Sequence, residues 1–410
     1  MPPDPIEADV AVVGAGPAGL SAATALKRLG VSRVILLERD SVVGGIPRHC
    51  GHSPFGMREF KRILSGTAYV ARLEAEAREA GVDIRTRHSV LSVGEGELTA
   101  VSPDGPLRVR ATRILLATGA REAPRSARLV TGERPLGILN TAALQTYVYR
   151  ERLVPFRQPV IVGTELVAMS ALLTCRSAGI RPVAVIEPHE RPTARWPFAL
   201  LPHVMGIPVH YGTTIAGIEG RGRVREITIR TEGQFRSIAC DGVLFTGAFT
   251  PESALARMSG LAIDDGSGGP VVDDHGRTSS GTIFAAGNLL RPIETAGWCW
   301  AEGARVAASL FEDFRQGLAE RRHTVRILAG EGIKLVMPQE VTGIAASALP
   351  YLQVRLKAKY QGTLRLSSGD RTIWSRPTNS APERRILIPI AALKLPAGTP
   401  DVVLSLDEQG

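Results

Sequence analysis

Local cysteine pairs are missing. Cys50, Cys175, Cys240 and Cys299 are far apart, and no CxxC or CxxxxC spacing occurs. A disulfide-built fold, a zinc–cysteine cluster and a local redox dithiol are therefore not expected. Lysine is scarce too: six of the 49 basic residues are lysines, and none lies between Lys61 and Lys334. The arginines are scattered, often beside acids as in Arg58-Glu59 and Glu320-Arg321, although the net charge is +9. A nucleic-acid binder concentrates its positive charge in a patch or stripe, so no nucleic-acid partner is expected. A weak attraction for anionic substrates is what the charge implies. No charge-free run reaches the roughly 18 residues of a membrane span. The start, MPPDPIEADVAVVGAG, lacks a basic segment followed by a cleavage site. No signal peptide is expected, and the cytoplasm is the expected location.

What is present is apolar material and glycine. Hydrophobic residues make up 44% of 410 residues, enough for large cores in two or three domains. The 43 glycines follow no collagen period and suit tight turns and close backbone approach to ligands.

The strongest local signal is at the start. Residues 8–13, Ala-Asp-Val-Ala-Val-Val, form a predicted buried strand, followed by Gly14-Ala15-Gly16-Pro17-Ala18-Gly19, a predicted helix from Ser21 to Leu29, and a second strand Val34–Leu37 ending in Glu38-Arg39. Gly14 permits the turn, Gly16 lets a pyrophosphate approach the backbone, and Gly19 permits close helix–strand packing. The helix N-terminus then presents free N–H groups to the phosphates. Glu38 suits the ribose hydroxyls of an adenosine. Two more predicted strands end in small residues: Thr112 to Ala117-Thr118-Gly119, and Gly281 to Gly287-Asn288. A helix is expected from Thr295 to Phe311.

With these elements in place, residues 8–318 resemble the FAD-dependent pyridine nucleotide-disulfide oxidoreductase superfamily. The resemblance implies an α/β protein with two Rossmann-like, three-layer dinucleotide-binding domains of the glutathione-reductase type. It implies FAD at Gly14, Gly16, Pro17, Ala18, Gly19, Glu38, Arg39 and Gly45, at Ala117-Thr118-Gly119 and at Gly287-Asn288, where Asn replaces the family's Asp. Val90, in the strand-like His88-Ser89-Val90, lies where family members offer backbone groups to adenine. The FAD domain would comprise 1–120 and 251–320, with an NAD(P)-binding-like domain at 121–250 between them.

The second nucleotide motif departs from the pattern. Val160-Ile161-Val162-Gly163-Thr164-Glu165-Leu166-Val167-Ala168, an apolar helix through Ser177, and Val183–Ile186 ending in Glu187 repeat strand, turn, helix, strand and acid. Gly163 matches the first glycine, but Glu165 stands at the second. Its side chain would crowd a pyrophosphate and its charge would oppose the phosphates. NAD(P)H binding at Gly163 and Glu187 therefore stands beside the alternative of a structural domain or a docking surface.

Chemistry is expected in the loop Gly44-Gly45-Ile46-Pro47-Arg48-His49-Cys50-Gly51-His52. Histidine titrates near neutrality, so His49 and His52 suit proton movement beside a flavin; the alternative is a hydrogen-bonded loop. Cys50 can form a reversible adduct or be a buried small hydrophobe. Arg48 can hold an anion or pair at the surface. Trp298 can wall the flavin or sit in a core. The loop, with Phe55-Gly56, Leu64–Tyr69 and Gly268–Asp273, resembles a narrower single-cysteine group found alongside a glycerol-3-phosphate dehydrogenase-like flavoprotein. More distantly it resembles the alpha subunits of opine and amino-acid dehydrogenases. These likenesses imply a partner, either a second dehydrogenase or an electron-transfer subunit, with a small-molecule substrate also open.

Residues 321–410 read as a β-rich module. Its strands are expected at 351–358, 363–366, 385–388 and 402–406, with turns at Ser368-Gly369-Asp370 and Pro396-Ala397-Gly398. The one histidine after His275 is His323, before this module, which is expected to dock or stabilise. The leading expectation is an FAD-dependent oxidoreductase that moves two electrons between a small substrate or NAD(P)H and a partner protein. The alternative is a non-catalytic or electron-relay FAD subunit without a nicotinamide site. No metal site is expected.

Overall fold

The computed structural model describes residues 4–317, 324–343, 347–393, 395 and 398–408. The expected turn residues Pro396 and Ala397, His323 and the expected boundary at 320 lie outside them.

Ile6–Val13 is buried from Val10 onward, as a strand flanked by parallel neighbours on both sides must be. The sheet runs Asp83–Arg85, Val34–Leu37, Ile6–Val13, Gly105–Leu116, Glu97–Ser102, Ser89–Gly94. Gly105–Leu116 pairs with Ile6–Val13 along one edge and is long enough to serve two partners along the other. Its first half pairs antiparallel with Glu97–Ser102, and its last three residues pair parallel with Ile283–Ala285. In register, Val13 stands beside Leu116 and Leu116 beside Ala285. The chain therefore leaves three parallel strands at one level, which brings Gly14, Thr118 and Gly287 to a single edge.

Two helices cover one face. Pro17–Arg28 packs against Ala296–Gln316, and the contact is close because residue 303 is glycine: a β-carbon there would collide with the Ala18 carbonyl. The second helix runs past its expected end at Phe311. Asp313, buried in the added turn, forms an ion pair with Arg113, and Gly317, with φ +70°, ends the helix.

The chain leaves this domain through Ala120–Glu122 and returns through Phe249–Pro251, which pair antiparallel. Between them lies a parallel sheet ordered Val209–His210, Ala184–Ile186, Pro159–Val162, Gly242–Phe245, Ile138–Asn140. A three-stranded antiparallel sheet, Thr213–Glu219, Glu226–Thr231 and Gln234–Ala239, accompanies it.

The C-terminal module is two β-sheets around a core that includes Leu352, Val354, Leu364, Leu366 and Leu404. The four expected strands are there, at Tyr351–Leu356, Tyr360–Ser368, Ile386–Pro389 and Val402–Glu408. Val325–Ala329, Ile333–Met337 and Arg371–Ser380 are additional. Arg371–Ser380 escapes pattern reading because it is an edge strand, largely exposed and carrying Pro377, with no apolar alternation. The module is tied to the first domain by Asp274, which accepts from Thr342 and Ser347, and by Glu294, paired with Arg355 at 2.8 Å and with Arg385. Among the described residues no helix is long and apolar enough to cross a membrane.

Candidate active site

The edge where the three strands end opens into a cleft of about 570 Å³. Gly14, Gly16, Pro17, Ala18, Glu38, Arg39, Gly45, Arg48, His49, Cys50, Val90, Ala117, Thr118, Gly119 and Asn288 line it. Gly19, His52, Gly287 and Trp298 are not among its lining residues, and Gly163 and Glu187 belong to the other nucleotide-type domain.

The glycine turn has the form an FAD pyrophosphate needs. Gly14 has φ +100°, and a β-carbon on it would stand 2.5 Å from the Ala117 carbonyl oxygen. One on Gly19 would collide with the Gly14 carbonyl. One on Gly16 would meet no protein atom within 4 Å, so that space faces the cleft. The helix starting at Pro17 presents first-turn amides without intrahelical acceptors there. Buried Glu38 accepts from the amides of Ala15 at 2.9 Å and Asp40 at 3.0 Å, which fixes its carboxylate at the cleft with lone pairs to spare. Asn288 uses its side chain locally: Oδ1 accepts from the Glu294 amide and Nδ2 donates to the Glu294 carbonyl. Behind it, Glu302 accepts from the Gly287 amide and forms a fully buried pair with Arg291. These residues fit FAD, whose contribution when bound is reversible two-electron chemistry.

Polar partners close the loop expected to act chemically. Arg48 donates to His49 Nε2 at 3.0 Å and to the Val42 carbonyl, and it pairs with Asp40. Its guanidinium is thus engaged by the protein itself. His49 Nδ1 meets Thr146 Oγ1 at 3.0 Å, and Thr146 in turn donates to the Ala142 carbonyl. Neutral His49 satisfies this arrangement, donating from Nδ1 and accepting at Nε2. Burial, then the charges of Arg48 and Arg150, hold it down at about 4. Burial, and then the Glu122 carboxylate, push the Cys50 thiol up to about 12, so it is protonated at neutral pH. Cys50 Sγ donates to Gln145 Oε1 at 3.4 Å, Gln145 Nε2 donates to Ser170 Oγ at 2.8 Å, and Ser170 meets His52 Nε2. This chain starts on the FAD domain, crosses to the helix Leu166–Ser177 and returns. Gly66 lets the helix Gly66–Glu79 press on the loop, since a β-carbon would collide with the Pro47 carbonyl. Trp298 lies between Arg385, 3.9 Å from its ring centroid, and Arg58, at 5.4 Å, next to the C-terminal module.

One cleft residue carried no signal in the sequence. Glu122, on the outgoing strand Ala120–Glu122, is buried beside Cys50 and Thr141. Its Oε2 accepts from the Ala142 amide at 2.8 Å. Burial pushes its carboxyl up to about 7; Glu165 adds to this, while the Ala142 amide, Thr141 and Arg128 oppose it. The other acidic groups of the cleft are held by amides or arginines: Glu38 as above, Asp40 by Arg48, Glu252 near Arg39 and Arg121, and Glu294 by Arg355 and Arg385.

The second nucleotide motif repeats the first until its second glycine position. The Gly163 amide donates to the Ile186 carbonyl at 2.8 Å, as Gly14 does to Leu37, and Glu187 accepts from Thr164 and His189. Glu165 then folds back over the turn. Its Oε2 is 2.6 Å from where a β-carbon on Gly163 would stand, and its Oε1 is 2.7 Å from the same point on Gly247. Burial raises its pKa, and Glu187 adds to the shift. Arg128 covers the same turn, donating to the carbonyls of Thr246 and Gly247. The site fits a nucleotide pyrophosphate poorly, because the Glu165 carboxyl group already fills the space above the turn.

Residues 8–303 match the pyridine nucleotide-disulphide oxidoreductase family, and the chain belongs to it. It is an FAD-dependent redox protein. The ferredoxin reductase component of chlorobenzene dioxygenase from Cupriavidus sp. (strain PS12) is 29% identical over 312 residues, 72% of this chain and 69% of the relative. An opine oxidase subunit from Agrobacterium tumefaciens (strain Ach5) is 26% identical over 333 residues, 74% of this chain and 64% of the relative. In fold, the chain is similar to thioredoxin reductase from T. acidophilum, with a TM-score of 0.63 at 23% identity over 75% of this chain and 98% of that one.

Proposed function

We propose that the chain is the FAD-bearing subunit of a dehydrogenase, which takes two electrons from a small organic substrate and passes them to a partner protein. No nicotinamide enters through its second domain. The observation that carries this reading is Glu165, whose carboxylate fills the space over Gly163 and Gly247 that a pyrophosphate would need. The hydrogen bonds from Cys50 through Gln145 and Ser170 to His52 support it, because they make that domain a wall of the flavin cleft. The relatives' names support a partner: one is a component of a dioxygenase system and the other belongs to a multi-subunit oxidase. The likeness of the 44–52 loop to proteins found with a glycerol-3-phosphate dehydrogenase-like flavoprotein makes such a flavoprotein the first partner to try.

The test is anaerobic spectroscopy of the purified holoprotein. The flavin band is expected to survive NADH and NADPH, to bleach with dithionite, and to bleach with substrate when the partner is co-expressed. Prompt bleaching by NADH overturns the reading. A flavin that no substrate reduces, alone or with the partner, leaves only the relay role.

A further inference from the structure

Electrons that pass from a flavin to a protein partner leave their protons behind. Electrons that arrive from such a partner arrive without them. A group at the cleft therefore has to release and take up protons as the cofactor cycles. The residues that the sequence offers for this are committed elsewhere. His49 has both ring nitrogens occupied, by Arg48 and Thr146, His52 has both occupied, by the Ser53 carbonyl and Ser170, and the Cys50 thiol donates to Gln145. Glu294 is fixed by two arginines.

Glu122 is placed differently. It lines the cleft from the strand that follows Ala117-Thr118-Gly119, beside Cys50. One carboxyl oxygen takes a single backbone hydrogen bond, from Ala142, and the other is buried against Thr141. Two charged groups act on it in opposite senses: Glu165 favours the neutral acid, and Arg128 favours the anion.

We propose that Glu122 is the proton-exchanging group of this cleft, protonated and deprotonated as electrons leave and enter the flavin. When two electrons leave for a protein partner, two protons remain. The Glu122 carboxylate accepts them one at a time as a neutral carboxyl and releases each to water. When electrons enter alone, the carboxyl gives its proton inward and is reprotonated from water. Its near-neutral titration, about 7, allows both directions at physiological pH.

Redox-difference infrared spectroscopy of the holoprotein tests this, with dithionite as the electron source so that neither substrate nor partner is needed. The expected result is a carboxyl carbonyl band that changes on flavin reduction, shifts in D2O, and loses intensity between about pH 6 and about pH 8. Labelling with 13C-glutamate should move the band, and Glu122→Gln should remove it while the visible flavin spectrum remains. A reduction-insensitive carboxyl region in the wild type overturns the proposal, as does the same band persisting in Glu122→Gln. If that variant loses FAD, Glu122→Asp with the isotope label on aspartate serves instead: the band should then follow the aspartate label, and a band that still follows glutamate overturns the proposal. The inference rests on the partner reading, but the outcome does not depend on whether NADH reduces the flavin, so the two can fail separately.

Discussion

His52 and Ser170 are hydrogen-bonded across the boundary between the two nucleotide-type domains. His52 belongs to the loop beside the flavin cleft, and Ser170 to the first half of the helix after the second glycine turn. Ser170 also accepts from Gln145, so one hydroxyl joins three segments. Ser170→Ala should leave the Gln145 amide without its acceptor, a loss of about 1–3 kcal/mol for a buried polar group. The expected result is a lower thermal midpoint for flavin release and faster amide exchange over residues 49–53. Unchanged exchange there would show that the hydroxyl does not hold the domains together.

Removing Glu165 should have an unusual profile. Its Oε1 is buried without a partner, and glycine is tolerated at a helix N-cap, so Glu165→Gly should leave stability nearly unchanged or raise it. The same variant should gain measurable NADH affinity by titration calorimetry, whereas the wild type is expected to show none. Glu165→Gln separates the two causes, since it keeps the bulk and removes the charge. No NADH binding to Glu165→Gly would show that Arg128 or the turn itself closes the site.

Glu122 and His49 predict opposing pH dependences of stability. The folded Glu122 carboxyl sits at about 7, above its ordinary 4.5, so the folded chain holds a proton that the unfolded chain has lost. Stability from this group therefore falls as pH rises from about 4.5 to about 7, by at most about 3 kcal/mol. Folded His49 sits at about 4, below its ordinary 6.5, so here the unfolded chain binds the extra proton. Its contribution is complete above about 6.5 and is lost as pH falls toward about 4. The two slopes offset one another over the shared interval. In Glu122→Gln the His49 slope is unopposed, so denaturant midpoints should rise more steeply from pH 4.5 to 6.5 than in wild type. Parallel curves for the two proteins would refute the assignment.

The first glycine motif could be read from the sequence because its demands are steric and local: each glycine stands where a β-carbon would collide or would fill the cleft. Glu165 was legible for the same reason, as a side chain at a position that requires none. The strands of the C-terminal module with apolar alternation were legible, and the exposed edge strand Arg371–Ser380 was not. The site's electrostatics were hidden. Nothing within a few residues of Arg48 says that its guanidinium is shared by Asp40, Val42 and His49. Glu122 is a lone acid in a short strand, and its character comes from Arg128 and from Thr141, Ala142 and Glu165, the last three distant in sequence and gathered by the crossover between domains. The sequence leaves Trp298 as either a flavin wall or a core residue. It stacks on Arg385 from a module nearly 90 residues further along the chain.

The buried pair Arg291–Glu302 holds the turn that carries Asn288. Both side chains are fully buried, and Glu302 also accepts from the Gly287 amide. Glu302→Ala would strand the Arg291 charge, at a loss of about 3–5 kcal/mol. Insoluble expression or a sharply lower thermal midpoint is expected. Wild-type stability would mean that Arg291 finds other acceptors beyond Gln353 and the Gly287 carbonyl.

Gly16 and Gly19 separate the cofactor's needs from those of the fold. Gly16 has φ −76°, open to any residue, and a β-carbon there meets no protein atom within 4 Å. Gly16→Ala should therefore fold with the wild-type thermal midpoint when stripped of FAD, yet hold FAD at least about tenfold more weakly, a difference of about 1.4 kcal/mol. Gly19→Ala puts a methyl group into the Gly14 carbonyl, so the helix must move off the strand and the apoprotein itself should be destabilised. Equilibrium dialysis against FAD, with calorimetry of both apoproteins, measures the two effects. If Gly16→Ala holds FAD as tightly as wild type, the pyrophosphate does not approach the backbone at Gly16.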